Sequence, residues 1–303
     1  MTPIPILLDC DPGHDDAIAL LLALASPELE LVGVTTVSGN QTVDKTTANA
    51  LRVLEFAGRD DIPVAVGADR PLVRERAVAA EVHGETGLDG PDLPPARGVP
   101  VDEPAVEFLA ERIRPGVVLV ATGPLTNVAQ LLDHARPERI VLMGGSIGEG
   151  NRTPAAEFNV WCDPEAAARV FSSGIETTMI GLDVTHQAIV TAGDVEELRA
   201  LGRAGTLVAE LLDFYARFHR LRYPELGGSP LHDPVAVAQV ARPGLVEVLP
   251  CSIEVDCESE QSRGRTNVDR RGRGPATPGL SVGVGIDAPG FRRLLVERIE
   301  SLG

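Results

Sequence analysis

Short apolar runs of strand length recur along this chain between segments of helical pattern, and that alternation restricts the fold more than any motif does. "PIPILLD" (3–9) has the length of a buried strand, and "AIALLLALAS" (17–26) reads as a helix apolar on nearly every face. "ELELVGVTTVSG" (28–39) is strand-like, and "QTVDKTTANALRVLEFAG" (41–58) is helical with a terminal glycine. "IPVAVG" (62–67), "GVVLVATG" (116–123), "RIVLMGG" (139–145) and "TTMIGLDV" (177–184) continue the strand series, with helical patterns between them. Strands linked by helices predict the α/β class: a doubly wound, mostly parallel central sheet flanked by helices.

Two stretches, 81–100 and 144–160, break the alternation with Gly and Pro and are expected as long functional loops. Residues 205–222 predict a helix, and "GGSPLHDP" (227–234) a turn into the apolar "VAVAQVA". From 249 to 287 the pattern is of strands carrying a polar, Arg-rich stretch, "SEQSRGRTNVDRRGRGPATPG". This small late strand-loop insertion is expected as an exposed hairpin loop. No repeat or compositional break divides the chain, so residues 1–303 are expected to form a single domain.

Composition then removes whole classes of function. The formal net charge is −17 with no basic run, whereas nucleic acid or an anionic membrane demands a basic face. No apolar stretch has the eighteen or more residues that a membrane span requires. The N-terminus lacks a basic segment before its apolar run, so no signal peptide is read and a cytoplasmic location is expected. Cys10, Cys162, Cys251 and Cys257 show no CxxC spacing, which fits reduced thiols and argues against a zinc site. Lys45 is the only lysine, so there is no GxxxxGK phosphate loop.

Against this background one segment stands out. "LLDCDPGHDDA" (7–17) places Asp9, Asp11, Asp15 and Asp16 where the first strand meets the first helix. Ligands of open α/β sheets bind at the carboxyl ends of strands. Pro12 and Gly13 allow a tight turn that folds Asp11 back towards Asp15 and Asp16. Two unit charges ~5 Å apart repel by ~3 kcal/mol at an effective dielectric near ~20. Such a group must take up protons or bind a cation. A helix cap explains one acid in the first turn, not the whole cluster. Oxygen-only ligands favour Ca²⁺ or Mg²⁺ over Zn²⁺, with further ligands sought in "TGPLTN" (122–127) and at Asp233 in "LHDP".

Other motifs mislead. "GGSIG" (144–148) matches the GxSxG elbow of serine hydrolases, but a Gly- and Pro-containing loop follows where a helix is required. "HGE" (83–85) lacks the PCxxC partner of zinc deaminases. "DCD" after a strand matches the nucleophile motif of dehalogenase-like phosphatases, whose later lysine Lys45 does not readily supply.

Taken together, "DCDPGHDDA", "SGNQT" (38–42), "VHGETGLDG" (82–90), "ATGPLTNVA" (121–129), "VLMGGSIGEGN" (141–151), "TPAAEFNVWCDPEAA" (153–167), "GLDVTH" (181–186) and "PLHDP" (230–234) resemble, in order, the inosine–uridine-preferring nucleoside hydrolases. "SRGRTNVDRRGR" (262–273) resembles the late element of that family, although Arg265 and Asn267 depart from its apolar pattern. The pyrimidine-preferring ribonucleoside hydrolases are the most similar branch. The resemblance implies Ca²⁺-dependent hydrolysis of the N-glycosidic bond of a small-molecule nucleoside, by a homodimer or homotetramer. It implies Ca²⁺ held by Asp11, Asp16, the backbone carbonyl of Thr126, and Asp233, with Asp11 also the base that deprotonates water. Asp15, Asn40 and Asn159 would hold the 2′- and 3′-hydroxyls, and Asn151 and Glu157 the 5′-hydroxyl. His232 is the candidate acid for the leaving base, His83 a pocket wall or weak ligand, and Met143 and Phe158 packing surfaces for sugar and base. Tyr215, His219 and Tyr223 in "FYARFHRLRYPELGG" (214–228) are available for base contacts.

These roles suit the chemistry. Attack at C1′ of an oxocarbenium-like sugar needs carboxylates to stabilise positive charge and a base to activate water. "AEFN" would set Glu157 and Asn159 on one side of an extended segment. The alternatives are a broad or purine-accepting hydrolase, a dehalogenase-like phosphatase, a nucleoside-binding protein without turnover, and a phosphorolytic enzyme. The last requires an anion pocket where this sequence supplies carboxylates.

Overall fold

The computed structural model describes residues 2–271 and 277–303. In its first half, β1 (Ile4–Cys10), α1 (His14–Ala25), β2 (Leu29–Thr36), α2 (Val43–Phe56) and β3 (Val64–Val66) alternate as the pattern predicts. After α3 (Ala80–His83) and α4 (Ala105–Arg112) come β4 (Val118–Ala121), α5 (Thr126–Leu131), β5 (Arg139–Met143), α6 (Phe158–Cys162), α7 (Pro164–Phe171) and β6 (Glu176–Ile180). The last part holds α8 (Leu182–Thr185), β7 (Ile189–Val190), α9 (Ala192–Arg199), α10 (Gly202–Arg222), β8 (Ser229–Pro230) and α11 (Asp233–Ala241). It closes with β9 (Val246–Pro250), β10 (Ser252–Val255), β11 (Thr266–Asp269), β12 (Leu280–Ile286) and α12 (Ala288–Glu300).

The main sheet has eight strands in the order β3-β2-β1-β4-β5-β6-β12-β9. All neighbours are parallel except β9, which pairs antiparallel with β12 at the edge. The chain runs outward from β1 to β3, then returns past β1 to β4 and proceeds the other way, so β1 and β4 flank a topological switch point. Side chains alternate across β1. Ile6, Leu8 and Cys10 join a core with α1, α2, α10, α11 and α12, while Leu7 joins a second core with α4, α5 and α7. Helix α1 is buried from His14 to Ala23 and touches α2, α10, α11 and α12.

Three expectations need correction. The run 177–184 is not one strand: β6 stops at Ile180 and α8 follows. The helix expected from Ala17 begins at His14, so Asp15 and Asp16 stand in its first turn, where Asp16 accepts the Gly13 N–H at 3.0 Å. The Arg-rich insertion is not simply an exposed loop. Its residues 266–269 form β11, paired with β10, and Thr266 is buried. Arg265 and Asn267 on either side of it face solvent. Residues 272–276 of the insertion lie outside the described residues.

Candidate active site

A cavity opens beside the carboxyl ends of β1, β4 and β5. The switch point explains its place. Strands β1 and β4 stay paired to their carboxyl ends, with Asp9 in register with Ala121 and the Thr122 N–H donating to the Asp9 carbonyl at 2.8 Å, and the Asp11 side chain lies against Gly123. Asp11 is fully buried and clasped by two glycines. A Cβ on Gly39 would lie 2.1 Å from its Oδ2, and one on Gly123 2.7 Å from its Oδ1. Its Oδ2 accepts the Asn40 backbone N–H at 2.6 Å, while Oδ1 has no partner among the described residues.

Asp15 and Asp16 rise from the first turn of α1, and Asp233 from the first turn of α11, which packs on α1. One carboxylate oxygen from each of these three lies within 4.8 Å of the others, all buried. Burial, then the charge of Asp16, holds the Asp11 carboxyl well above its ordinary range. Burial and then Asp15 do the same to Asp233. Asp15 is pushed up to about 7 by burial, then by Asp16, and burial also raises Asp16. A metal-free floor therefore retains protons, whereas a divalent cation lets these groups ionise together. The donor set fits such a cation: oxygen only, with one oxygen of Asp11 unpaired.

Asp15, Asn40, His83, Met143, Asn151, Glu157, Phe158, Asn159, His232 and Asp233 all line the cavity, and Asp11 and Asp16 lie beneath it. Thr126 does not join them. It opens α5, where its hydroxyl donates to Asp163 at 2.6 Å and its carbonyl is directed into the next helical turn. Thr122, four residues earlier in the same segment, does reach the cavity. It lines the cavity, donates its hydroxyl to Asp16 at 2.9 Å, and its carbonyl accepts from Asn159 Nδ2 at 2.7 Å. Asp9 also leaves the cluster. Its Oδ1 accepts from Thr35 at 2.6 Å and Asn127 at 2.7 Å, and Asn127 belongs to α5 on the opposite face of the sheet.

One side of the cavity is fixed by backbone donors. Glu157 caps α6, its carboxylate accepting from Asn159 N at 2.8 Å, Gly145 N at 2.9 Å and Val160 N at 3.1 Å. The segment is thus a helix start, not the extended run expected for "AEFN". Asn151 Oδ1 accepts from Phe158 N at 2.9 Å, which leaves its Nδ2 as a donor. Asn40 Nδ2 donates to Asp16 at 2.9 Å and to the Asp11 carbonyl at 3.2 Å, leaving its Oδ1 as an acceptor.

The other side is aromatic. Tyr215, His219 and Tyr223 of α10 and its C-cap face the cavity with Phe218 and His186. Tyr215 directs its hydroxyl to Asp15 at 3.4 Å. Burial lowers His83 and His232 well below the ordinary histidine range, and His14 and His219 to about 4, so all four are neutral near pH 7. His14 escaped the sequence reading although it lies within the acidic motif. Its Nε2 bonds the Asp89 carbonyl at 2.8 Å, and its backbone N–H donates to His83 Nδ1 at 3.2 Å. No sequence signal marks it, because its partners lie about seventy residues away.

These features define a class: a doubly wound α/β protein whose switch-point pocket has a cation-ready acidic floor and hydrogen-bonding groups for a polyhydroxylated small molecule. The chain matches the model of the inosine-uridine preferring nucleoside hydrolases over residues 6–293 and belongs to that family. It is 53% identical over 304 residues to the pyrimidine-specific ribonucleoside hydrolase RihA of Shewanella sp. (strain MR-7), covering 97% of this chain and 96% of the relative. The protein of the same name from Salmonella agona (strain SL483) is 49% identical over 306 residues, covering 98% of each. Among solved structures, the purine-preferring ribonucleoside hydrolase from Gardnerella vaginalis superposes with a TM-score of 0.93 at 36% identity, covering 98% of both chains. The plant nucleoside hydrolase PpNRh1 does so with a TM-score of 0.92 at 32% identity, covering 98% of this chain and 99% of its own.

Proposed function

We propose that this chain, acting as one unit over residues 1–303, is a Ca²⁺-dependent ribonucleoside hydrolase that prefers pyrimidine nucleosides and releases ribose and the free base. The observation that carries the reading is the buried carboxylate floor facing the sugar-binding side chains across one cavity. Asp11, Asp16, Asp233 and the Thr122 carbonyl are the donors that would hold Ca²⁺, an oxygen set suited to a hard cation. When bound, the cation supplies positive charge that acidifies water and orients the ribose diol.

The chain's own groups account for the rest. Asp11, with its unpaired Oδ1, takes a proton from the attacking water. Asp15, Asn40 and Asn159 bind the 2′- and 3′-hydroxyls, and Asn151 and Glu157 the 5′-hydroxyl. Holding all three hydroxyls lets binding energy bend the sugar towards an oxocarbenium-like geometry. Met143 and Phe158 pack against the substrate, and His83 forms part of the wall. His232, neutral in its buried setting, donates a hydrogen bond to the departing base.

The pyrimidine preference is supported by relatives near half identity that bear a pyrimidine-specific name, against lower identity to a purine-preferring one. A homodimer or homotetramer is part of the same reading, supported by Val248 and Leu249 exposed on edge strand β9. A cytoplasmic setting is supported by four cysteines without a disulfide. Among the described residues no helix is long and apolar enough to cross a membrane.

Ribose release from uridine and inosine in phosphate-free buffer, with and without a chelator, tests the proposal. Release that favours uridine, stops with chelator and returns with Ca²⁺ is expected. Silence towards both nucleosides, or dependence on added phosphate, would overturn it.

A further inference from the structure

Thr185 closes α8, immediately after β6, and is fully buried. Its backbone N–H is used by the Gly181 carbonyl at 3.1 Å. Its hydroxyl lies 2.7 Å from His232 Nδ1. Among the described residues, that ring nitrogen is the only hydrogen-bond partner of the hydroxyl. A hydroxyl carries one proton, and a buried donor must place it on an acceptor. The O–H therefore donates and Nδ1 accepts, which leaves the ring proton of His232 on Nε2. The reverse arrangement, Nδ1–H donating to Thr185, strands the hydroxyl proton in a dry interior. His232 lines the cavity, and with Nδ1 engaged by Thr185, Nε2 is the nitrogen left for the substrate.

We infer that Thr185 is a positioning residue that sets the tautomer of His232, so that the ring presents Nε2–H to the departing base. The inference rests on the role of His232 proposed above. As C1′–N breaks, its electron pair moves onto the base, and Nε2–H holds that charge by a hydrogen bond. The water oxygen bonds to C1′, Asp11 takes a water proton and returns it to solvent, and the base acquires one proton in exchange. With the tautomer reversed, a nitrogen lone pair would face the developing anion and oppose departure.

The test uses the Ca²⁺-loaded protein with histidines labelled with ¹⁵N, and two substrates. Uridine needs help for its leaving group. 4-Nitrophenyl β-D-ribofuranoside does not, because nitrophenolate departs readily. Thr185→Val is expected to lower kcat on uridine by about 10- to 100-fold while changing the nitrophenyl riboside by less than about 3-fold. Its spectrum should lose the single fixed Nε2–H tautomer of His232 in favour of an exchanging mixture. Thr185→Ser keeps the hydroxyl and should restore both the spectrum and the uridine rate. If the valine variant does not fold, Thr185→Ala carries the same expected split. Equal losses on both substrates, or uridine turnover at the parent rate, would overturn the inference. His232→Ala separates the two levels. If it fails to split the substrates, the proposed role of His232 falls. If it splits them and Thr185→Val does not, only the positioning role falls.

Discussion

The floor of the pocket is built of carboxylates, Asp11, Asp15, Asp16 and Asp233, and its wall of histidines and aromatic rings, chiefly His83, His219, His232 and Tyr215, and both are buried. Burial penalises charge in each. It raises the acids and so keeps protons on them, and it lowers the histidines and so strips protons from them. The wall reaches its neutral state unaided, because an uncharged imidazole can still donate and accept. The floor needs an external cation before its carboxylates can ionise together. A single dry cavity thus holds one region complete in itself and one that is completed by its ligand.

The sharpest way to break this contrast is at Asp11. Asp11→Asn keeps the shape but removes the proposed base and one proposed ligand, and kcat on uridine is expected to fall about 10³-fold. His219→Ala in the wall should cost about tenfold. Initial rates of ribose release would decide, and equal losses would erase the distinction. Adding Ca²⁺ comes next. At a hundredfold excess over Kd, binding to the folded state adds about 2.7 kcal/mol, or roughly 5 °C in Tm. Scanning calorimetry checks this, and an unmoved Tm would mean the floor does not hold the ion.

The pH dependence of Tm sharpens the comparison further. Asp15, held near 7 when folded, binds its proton more tightly folded than unfolded. Its contribution is present below about pH 4 and is lost as pH rises towards 7. His14 and His219, lowered to about 4, contribute above about pH 6.5 and lose that contribution as pH falls towards 4. In metal-free protein the two trends oppose. With Ca²⁺ the carboxylates stay ionised, so Tm should climb more steeply from pH 4 to 6.5. An identical slope with and without Ca²⁺ would count against this. The smallest effect is at the rim, where Arg152 meets Glu81 at 2.8 Å with both side chains partly exposed. Arg152→Ala should change stability by less than about 1 kcal/mol and KM by less than about fivefold.

Sequence pattern and structure agree where a local rule decides. Alternation of apolar runs predicts the parallel sheet, and the first strand–helix junction announces the acidic floor. They part where a side chain's partner is distant. "TGPLTN" offers two threonines four apart, and only the fold shows that Thr122 lines the cavity while Thr126 opens α5. Asp9 and Asp11 look equivalent in "DCD", yet the strand ends between them, and Asp9 is drawn to Asn127 on the opposite face. Thr266 is buried between two exposed residues, its hydroxyl donating to the Ser146 carbonyl at 2.6 Å and accepting the Ser146 N–H at 2.9 Å, a pairing 120 residues apart. The resemblance to the family named residues that the structure brings to one cavity, but not His14 or Thr185, whose contacts run across the fold.

Helix α1, apolar on nearly every face after its acidic first turn, has a consequence for how the protein is made. Three of the helices that cover it, α10, α11 and α12, belong to the last third of the chain. During synthesis at ~5–20 residues per second, α1 emerges early and waits on the order of 10–40 s before α11 can reach it. The same delay separates Asp16 from Asp233, so a nascent chain carries an incomplete acidic floor beside a greasy, uncovered helix. Docking of α11 completes the acidic floor and covers one face of α1 in the same step, which ties burial of this apolar helix to completion of the floor.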